Sequence, residues 1–289
     1  MRLFADDCLL YRKIETQLDH SILQKDLHEL EIWASKWGMR FNAKKCYIMS
    51  INNKSSHFYE LDKYILKQVN ENPYLGLTIS DNLKWSSHIT KMTKKANSTM
   101  AFLRRNLRNF PENCRKTAYL SLVRSILDYG SIIWDPYLSS DIDKIERVQR
   151  QAARFITGDY KTREEGCVTK MLDHLELRPL QERRSSSRLI FLYKVVEGLV
   201  PAIPPEEYFK PAKHKRRIKT KQFSEFQSLN IIERHTINHD KGFIVNNCKT
   251  EQLKNFFFIK TTVEWNHLDS EIIGAQTVEG FKSALHQCW

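Results

Sequence analysis

Two adjacent carboxylates near the start of the chain are the residues best suited to chemistry. Asp6 and Asp7 follow Phe4 and Ala5, and an apolar run begins at Cys8. Like charges this close repel one another unless a cation neutralises them. Mg²⁺ prefers oxygen ligands and is often held by one or two carboxylates together with substrate phosphates. The alternative is an ordinary acidic turn, because Asp favours turns for its own backbone hydrogen bonds.

The segments around the carboxylates predict the elements that position them. The turn lies between two short apolar stretches, which indicates a β-hairpin. From Asp19 to Trp37, apolar residues recur at spacings of three and four, which predicts an amphipathic helix whose apolar face includes Trp33 and Trp37. Asp19 is the predicted N-cap of this helix, and Gly38 is the predicted stop. Alternating apolar residues predict a strand over 39–51, and shorter strands are expected from there to residue 79.

Long helices dominate the prediction for the rest of the chain. The predicted helices are His88–Asn109, Glu112–Ile126, Ser140–Thr157, one or two between Lys170 and Leu199 with a break at Pro179, and a terminal one from about Val278 to His286. Prolines followed by basic residues predict an exposed loop over 200–221. Within it, Lys213–Lys219 could be a nuclear localisation signal, an RNA-binding loop or a solvated linker.

The composition indicates a folded intracellular protein. Hydrophobic residues make up 41% of the 289 residues, and no apolar run approaches the roughly 18 residues that suggest a membrane span. The six cysteines are scattered without a Cys-x-x-Cys pair, which predicts free thiols in a reducing compartment. We therefore expect a protein of the nucleus or cytoplasm that is neither secreted nor a membrane protein.

The basic charge is concentrated in the middle of the chain. The formal net charge is +12, whereas residues 1–81 are neutral overall and residues 222–289 are slightly acidic. An excess of Lys and Arg confined to the region from 82 to 221 is typical of a surface that binds the backbone of a nucleic acid. A solvated basic surface without a partner is the alternative.

Several short motifs follow one another in a fixed order. Phe4-Ala5-Asp6-Asp7 comes first, then Trp33-Ala34-x-x-Trp37-Gly38 with Asn42 and Lys45 behind it, and then Tyr74-Leu75-Gly76-Leu77. Farther along are Leu127-Asp128-Tyr129-Gly130-Ser131, Trp134-Asp135-Pro136-Tyr137 and Val263-Glu264-Trp265-Asn266. Each motif is unspecific alone, but the ordered set closely resembles the reverse transcriptases of non-LTR retrotransposons of the jockey and CR1 type, over nearly the whole chain.

The resemblance implies a role for individual residues. Asp6 and Asp7 would be the metal-binding carboxylates of an RNA-directed DNA polymerase, and Lys45 would lie near the incoming triphosphate as a proton donor. The primer grip would be formed by Tyr74, Leu75 and Gly76. The implied cofactor is Mg²⁺, and the implied partners are an RNA template and a DNA primer. An ordinary loop lysine and an ordinary hairpin are the alternatives for Lys45 and the grip.

Two predicted helices carry cations at helical spacing. Arg matches phosphate geometry with a planar fork of donors, so basic helix faces are suited to a nucleic-acid backbone. The candidate backbone contacts are Lys94, Lys95, Arg104, Arg105, Arg147, Arg150 and Arg154. Three tryptophans, at 134, 265 and 289, could stack on bases but are better explained as core residues.

The predicted architecture is α+β and predominantly helical. Residues 1–81 are expected to form a truncated polymerase palm with a small antiparallel sheet, residues 82–160 a thumb-like helical bundle, and residues 161–289 a mixed C-terminal domain. A palm of this family needs another Asp on an upstream strand, and it needs fingers. We therefore expect a C-terminal fragment that lacks the N-terminal polymerase half, binds Mg²⁺ weakly or not at all, and is inactive alone. The alternatives are a non-catalytic nucleic-acid-binding module and a functionless remnant.

Overall fold

A computed structural model describes residues 1–52, 57–212 and 239–288 of the chain. The chain divides into two compact units, Met1–Lys84 and Trp85–Trp289. Helices hold more than half of the described residues, and the strands are short, so the fold is α+β and mainly helical. Two predictions, for the basic segment 213–219 and for the last tryptophan, fall outside the described residues.

Within residues 1–52 and 57–84, the first unit has one long helix and four separate pairs of short strands. Three pairs are antiparallel, namely β1 with β2, β4 with β5 and β7 with β8, whereas β3 and β6 are parallel. These separate pairs stand in place of the one small antiparallel sheet that was predicted. The strands are β1 (Arg2–Phe4), β2 (Asp7–Leu9), β3 (Tyr47–Ile48), β4 (Glu60–Leu61), β5 (Tyr64–Ile65), β6 (Lys67–Gln68), β7 (Glu71–Tyr74) and β8 (Leu77–Ser80). A small apolar core, built around Tyr59, Leu61 and Leu66, packs against the long helix.

The long helix, α1 (Gln17–Lys36), begins three residues earlier than predicted. Its N-cap is Thr16 rather than Asp19, and the two residues form a reciprocal capping box. The Asp19 carboxylate accepts hydrogen bonds from the backbone amide of Thr16 at 2.9 Å and from that of Glu15 at 3.1 Å. Gly38 lies just beyond the helix end with a φ of +68°, as expected of a residue that stops a helix.

Replacing Asp19 with asparagine is expected to fray the start of α1. The hydrogen bonds from Thr16 and Glu15 lower the pKa of Asp19 to about 2, below the value of the unfolded chain. A depressed folded-state pKa contributes stability above the unfolded pKa, and this stability is lost as the pH falls towards 2. The free energy of unfolding of the wild type, measured from pH 5 to pH 2, should therefore fall more steeply than that of the variant. Parallel curves would contradict the prediction.

Two predictions for this unit are wrong. The apolar face of α1 was expected to include Trp33 and Trp37, but these side chains are 46% and 66% exposed. The strand expected over 39–51 is reduced to β3, because the backbone amide of Lys45 donates to the carbonyl of Asn42 at 2.8 Å and closes a 3₁₀ turn. Hydrophobicity patterns do not register such a turn, since it is formed by backbone atoms.

The second unit is helical, and the predicted long helices are confirmed. Its helices are α2 (Ser86–Asn106), α3 (Glu112–Ala118), α4 (Ser125–Asp128), α5 (Ser131–Trp134), α6 (Ser139–Thr157), α7 (Cys167–His174), α8 (Leu180–Val196), α9 (Pro205–Tyr208), α10 (Glu251–Lys254), α11 (Phe257–Asn266), α12 (Ser270–Ile273) and α13 (Val278–Cys288). A π-helical segment, Tyr119–Arg124, joins α3 to α4. The expected C-terminal strands are absent from residues 239–288. Phe243 of this region forms an isolated antiparallel bridge with Pro211.

The core of the second unit contains both described tryptophans that the sequence assigned to it. Trp134 and Trp265 are fully buried, so their prediction as core residues is confirmed. Trp265 packs against Phe281 of α13 and Phe243, in a cluster that also holds the apolar face of α8. None of the helices in the described part of the chain is long and apolar enough to cross a membrane.

Candidate functional site

The adjacent carboxylates lie at the tip of a two-residue hairpin. Phe4 of β1 pairs with Asp7 of β2, so Ala5 and Asp6 form the turn. Ala5 has a φ of +50°, a left-handed conformation that is uncommon outside tight hairpin turns. All four residues are exposed. Two accessible carboxylates on one turn are oxygen donors of the kind that Mg²⁺ prefers, although no third potential ligand joins them within residues 1–52, 57–212 or 239–288.

Lys45 belongs to the 3₁₀ turn that precedes β3, and its side chain is exposed. Burial raises the pKa of the neighbouring Cys46 thiol. Lys45 follows Asp7 by 38 residues in the sequence, and its place beside the carboxylates stays a prediction.

The predicted primer-grip motif forms a second tight hairpin in the same unit. Tyr74 of β7 pairs with Leu77 of β8, and the turn residues are Leu75 and Gly76. Both turn residues have positive φ values, +47° and +79°. Glycine adopts this conformation without cost, whereas leucine does not, so the turn is partly strained at residue 75. The geometry matches the predicted hairpin, and the contact with a primer remains a prediction.

Most of the cations on helix α2 that were predicted to contact a nucleic-acid backbone are exposed to solvent. Lys94, Lys95 and Arg105 are exposed. Arg104 is half-buried instead, and its guanidinium donates to the backbone carbonyl of Gln151 on α6 at 3.2 Å. The structure therefore separates the set into three cations that face solvent and one that fastens α2 to α6.

The three arginines predicted on α6 are also divided between solvent and the protein. Arg150 is exposed, with the Asp143 carboxylate 3.9 Å away. Arg154 is half-buried and donates to the carbonyl of Asp159 at 3.2 Å and to the sulfur of Cys167 at 3.3 Å. Arg147 is exposed. The buried face of this helix is as predicted, and two of its three predicted cations, Arg147 and Arg150, face solvent.

A buried cluster of charges in the second unit was not predicted. Asp135, at the end of α5, has a side chain that is 5% exposed and lies among three cations. Its carboxylate accepts from Arg184 Nε at 2.8 Å and from Lys260 Nζ at 2.6 Å, and Arg188 Nε lies 3.1 Å away. The Arg184 guanidinium also lies over the Trp134 ring, 5.9 Å from its centroid. One carboxylate thereby joins α5, α8 and α11.

A second carboxylate completes this cluster. Glu264 of α11 accepts two hydrogen bonds from a terminal nitrogen of Arg188, at 2.7 and 2.9 Å, and one from the Ser185 hydroxyl at 2.6 Å. Arg188 also donates to the hydroxyl of Thr261 at 3.2 Å. Asp135 and Glu264 belong to two of the motifs that carry the resemblance. Both motifs therefore have a structural explanation, which sequence reasoning missed because their partners are 49 to 125 residues away.

Known proteins similar to this chain were found among the polymerases of mobile elements. Over 163 residues, or 54% of this chain, it is 28% identical to the RNA-directed DNA polymerase from mobile element jockey of Drosophila melanogaster. The resemblance to non-LTR retrotransposon reverse transcriptases is confirmed over about half of the chain, and not over nearly all of it as expected. Two further Drosophila melanogaster relatives are the probable RNA-directed DNA polymerases from transposon BS, 28% identical over 53% of the chain, and from transposon X-element, 25% identical over 54%.

The matched region is a small part of each relative. The chain spans 18% of the length of each of these three polymerases. No family model matches the chain, and no solved structure matches it. The retrotransposon polymerase resemblance is thus supported by curated sequences, and the assignments of palm, thumb and individual site residues stay predictions.

Proposed function

We propose that this chain is a portion of a retrotransposon reverse transcriptase that holds nucleic acid through helix α2. The observation that carries the proposal is the charge of this helix. Its 21 residues include three lysines and two arginines but no acidic residue. Helices exposed to solvent normally carry both signs of charge, because opposite charges three or four residues apart stabilise them. A helix that omits this stabilisation is suited to a polyanionic partner.

The contacts of these cations support the same proposal. Among the described residues, Lys94, Lys95 and Arg105 form no ion pair, whereas Lys144 of α6 is paired with Asp141 at 2.8 Å. Unpaired exposed cations can release bound counterions when they meet phosphates, which favours association with DNA or RNA. The similarity to RNA-directed DNA polymerases supplies the class of polyanion, an RNA template and a DNA primer.

We further propose that the Asp6-Asp7 hairpin contributes carboxylates to a magnesium site that other parts of an intact polymerase complete. Two Mg²⁺ ions would align the attacking and departing oxygens of a nucleotidyl transfer, as in other polymerases. The hairpin supplies both of its carboxylates from one exposed turn. Ligands from one turn define only one side of such a site, so the ions would be held weakly in this chain alone.

The purified chain is therefore expected to show no primer extension on an RNA template with Mg²⁺. Electrostatic placement of ions and phosphates supplies most of the rate in phosphoryl transfer, and a one-sided site cannot provide it. Incorporation of labelled nucleotides would be measured for the wild type and for a variant with both Asp6→Asn and Asp7→Asn. Extension by the wild type that the double variant abolishes would show that the chain is a polymerase by itself, contrary to the proposal.

A non-catalytic nucleic-acid-binding module is the second candidate function, and helix α2 favours it equally. The two candidates differ in the role of the hairpin. A binding module would retain full affinity for nucleic acid in the double aspartate variant, both with and without Mg²⁺. In a polymerase portion, Mg²⁺ would increase the affinity of the wild type for a template–primer, and the double variant would lose this increase. A functionless remnant would bind no nucleic acid even at low salt.

A further inference from the structure

Helix α2 carries an exposed aromatic ring in the middle of its basic stripe. At 100° per residue, six exposed positions of the helix fall within an arc of about 100° and extend over roughly 21 Å. These positions, which we call the α2 stripe, are Lys91, Lys94, Lys95, Ser98, Phe102 and Arg105. Thr90, Asn97 and Asn106 are also exposed and lie beside the stripe. The opposite side of the helix is buried and includes Ile89, Ala96, Met100 and Leu103.

The side chain of Phe102 is 53% exposed. The next residue, Leu103, is only 2% exposed, because it lies on the side of the helix that faces the core. On the helix, Ser98 and Arg105 are the neighbours of Phe102 along the stripe, one turn before and one turn after. Lys95 lies two turns before it. An isolated exposed apolar residue is common on protein surfaces. What distinguishes this ring is its position among cations on a helix that has no acidic residue.

The chemistry of the stripe fits a single-stranded nucleic acid. Proteins that bind unpaired strands combine a basic surface that follows the phosphates with aromatic side chains that stack on bases. In a duplex the bases are already stacked on one another, so a ring could reach them only by prying a base step apart. Cations at both ends of the stripe with one ring between them match the first arrangement.

We infer that Phe102 stacks on an unpaired base of a single strand held along the α2 stripe, and this inference rests on the nucleic-acid binding proposed above. The ring would contact the base while Lys94, Lys95 and Arg105 contact phosphates on either side of it. The site would tolerate different sequences, because every base has an aromatic face. The inference adds to the proposed function a base-contacting residue, Phe102, and a preference for single-stranded over double-stranded nucleic acid.

The test compares single-stranded and double-stranded RNA of one sequence. Fluorescence anisotropy with the full chain would give Kd values for the wild type and for Phe102→Leu, Phe102→Tyr and Phe256→Leu. Loss of the ring should weaken binding of the single strand by about 5- to 100-fold, whereas tyrosine should retain it. Binding of the duplex should change less than about twofold, since phosphate contacts dominate there. Phe256, which is 51% exposed and outside the stripe, is the matched control.

A second measurement reports stacking directly. A single strand with 2-aminopurine in place of one adenine should lose fluorescence on binding the wild type, and less so on binding Phe102→Leu. Equal weakening of single strand and duplex in that variant, or no weakening of either, would overturn the inference. A difference in oligomeric state between the wild type and Phe102→Leu, both without nucleic acid, would also overturn it, since it would show that the ring contacts a second copy of the chain. The affinity of the wild type tests the proposed function separately, because this inference depends on the ratio of variant to wild type.

Discussion

Replacing Asp135 with asparagine is expected to lower the free energy of unfolding of the second unit by about 3–5 kcal/mol, because removing one partner leaves buried charges uncompensated. The carboxylate lies within 3.1 Å of a nitrogen of Arg184, of Arg188 and of Lys260. The two arginine side chains are 1% and 2% exposed, so water cannot solvate their charges once the carboxylate is lost. An asparagine oxygen could still accept hydrogen bonds, but it carries no charge to balance three cations.

Urea denaturation followed by tryptophan fluorescence measures this effect, since Trp134 and Trp265 are buried in the second unit. Asp143→Asn is the matched control, because its carboxylate is 64% exposed and its nearest cation, on Arg150, is 3.9 Å away. The control should change the free energy of unfolding by less than about 1 kcal/mol. Similar losses in both variants would mean that the buried cluster does not stabilise the fold as its geometry indicates.

Removing three cations from helix α2 should weaken binding of nucleic acid by about 10- to 100-fold, since exposed ionic contacts contribute up to about 1 kcal/mol each. The variant replaces Lys94, Lys95 and Arg105 with alanine. All three side chains are exposed, and alanine favours helices, so the fold should be retained. The Kd for a labelled RNA would be measured at a fixed salt concentration of about 0.1 M, where exposed charges interact over about 10 Å.

The matched control for this variant removes three other exposed cations, Lys161, Arg163 and Lys170, and so changes the net charge equally. A binding surface confined to the α2 stripe predicts a loss of affinity of less than about threefold in this control, in proportion to the change in overall charge. Comparable losses in the two triple variants would indicate a diffuse attraction to the whole basic surface. That result would remove α2 from the proposal.

The long helices could be predicted from the sequence because each buries one face. In α6, the apolar residues Ile145, Val148, Ala152 and Phe155 recur every three or four positions, and all are buried. The same reasoning located α2, α8 and α13 to within a few residues. It was wrong for Trp33 and Trp37, because hydrophobicity shows which residues could be buried and not whether another part of the protein covers them.

The candidate sites divide in the same way. The first hairpin could be predicted from local turn residues, although Asp7 begins β2 and does not belong to the turn. The second hairpin was expected from the family resemblance, and the chain does form one there. The buried cluster around Asp135 could not be predicted, because the sequence around a carboxylate does not show whether it faces solvent or three cations. The α2 stripe could have been found from the helical spacing of Phe102 relative to Lys95 and Arg105. The sequence also could not show that Arg104 and Arg154 are engaged by backbone carbonyls of the same chain.

The salt dependence of RNA binding tests the central claim most directly. The logarithm of the binding constant falls linearly with the logarithm of the salt concentration, with a slope of about 0.7 per phosphate contacted on a single strand. For the full chain, we expect a steep slope that becomes smaller by about 2 when Lys94, Lys95 and Arg105 are replaced with alanine. The slope should stay within about 0.5 of the wild type when Lys161, Arg163 and Lys170 are replaced. Absence of binding at low salt, or an unchanged slope in the α2 variant, would contradict the account.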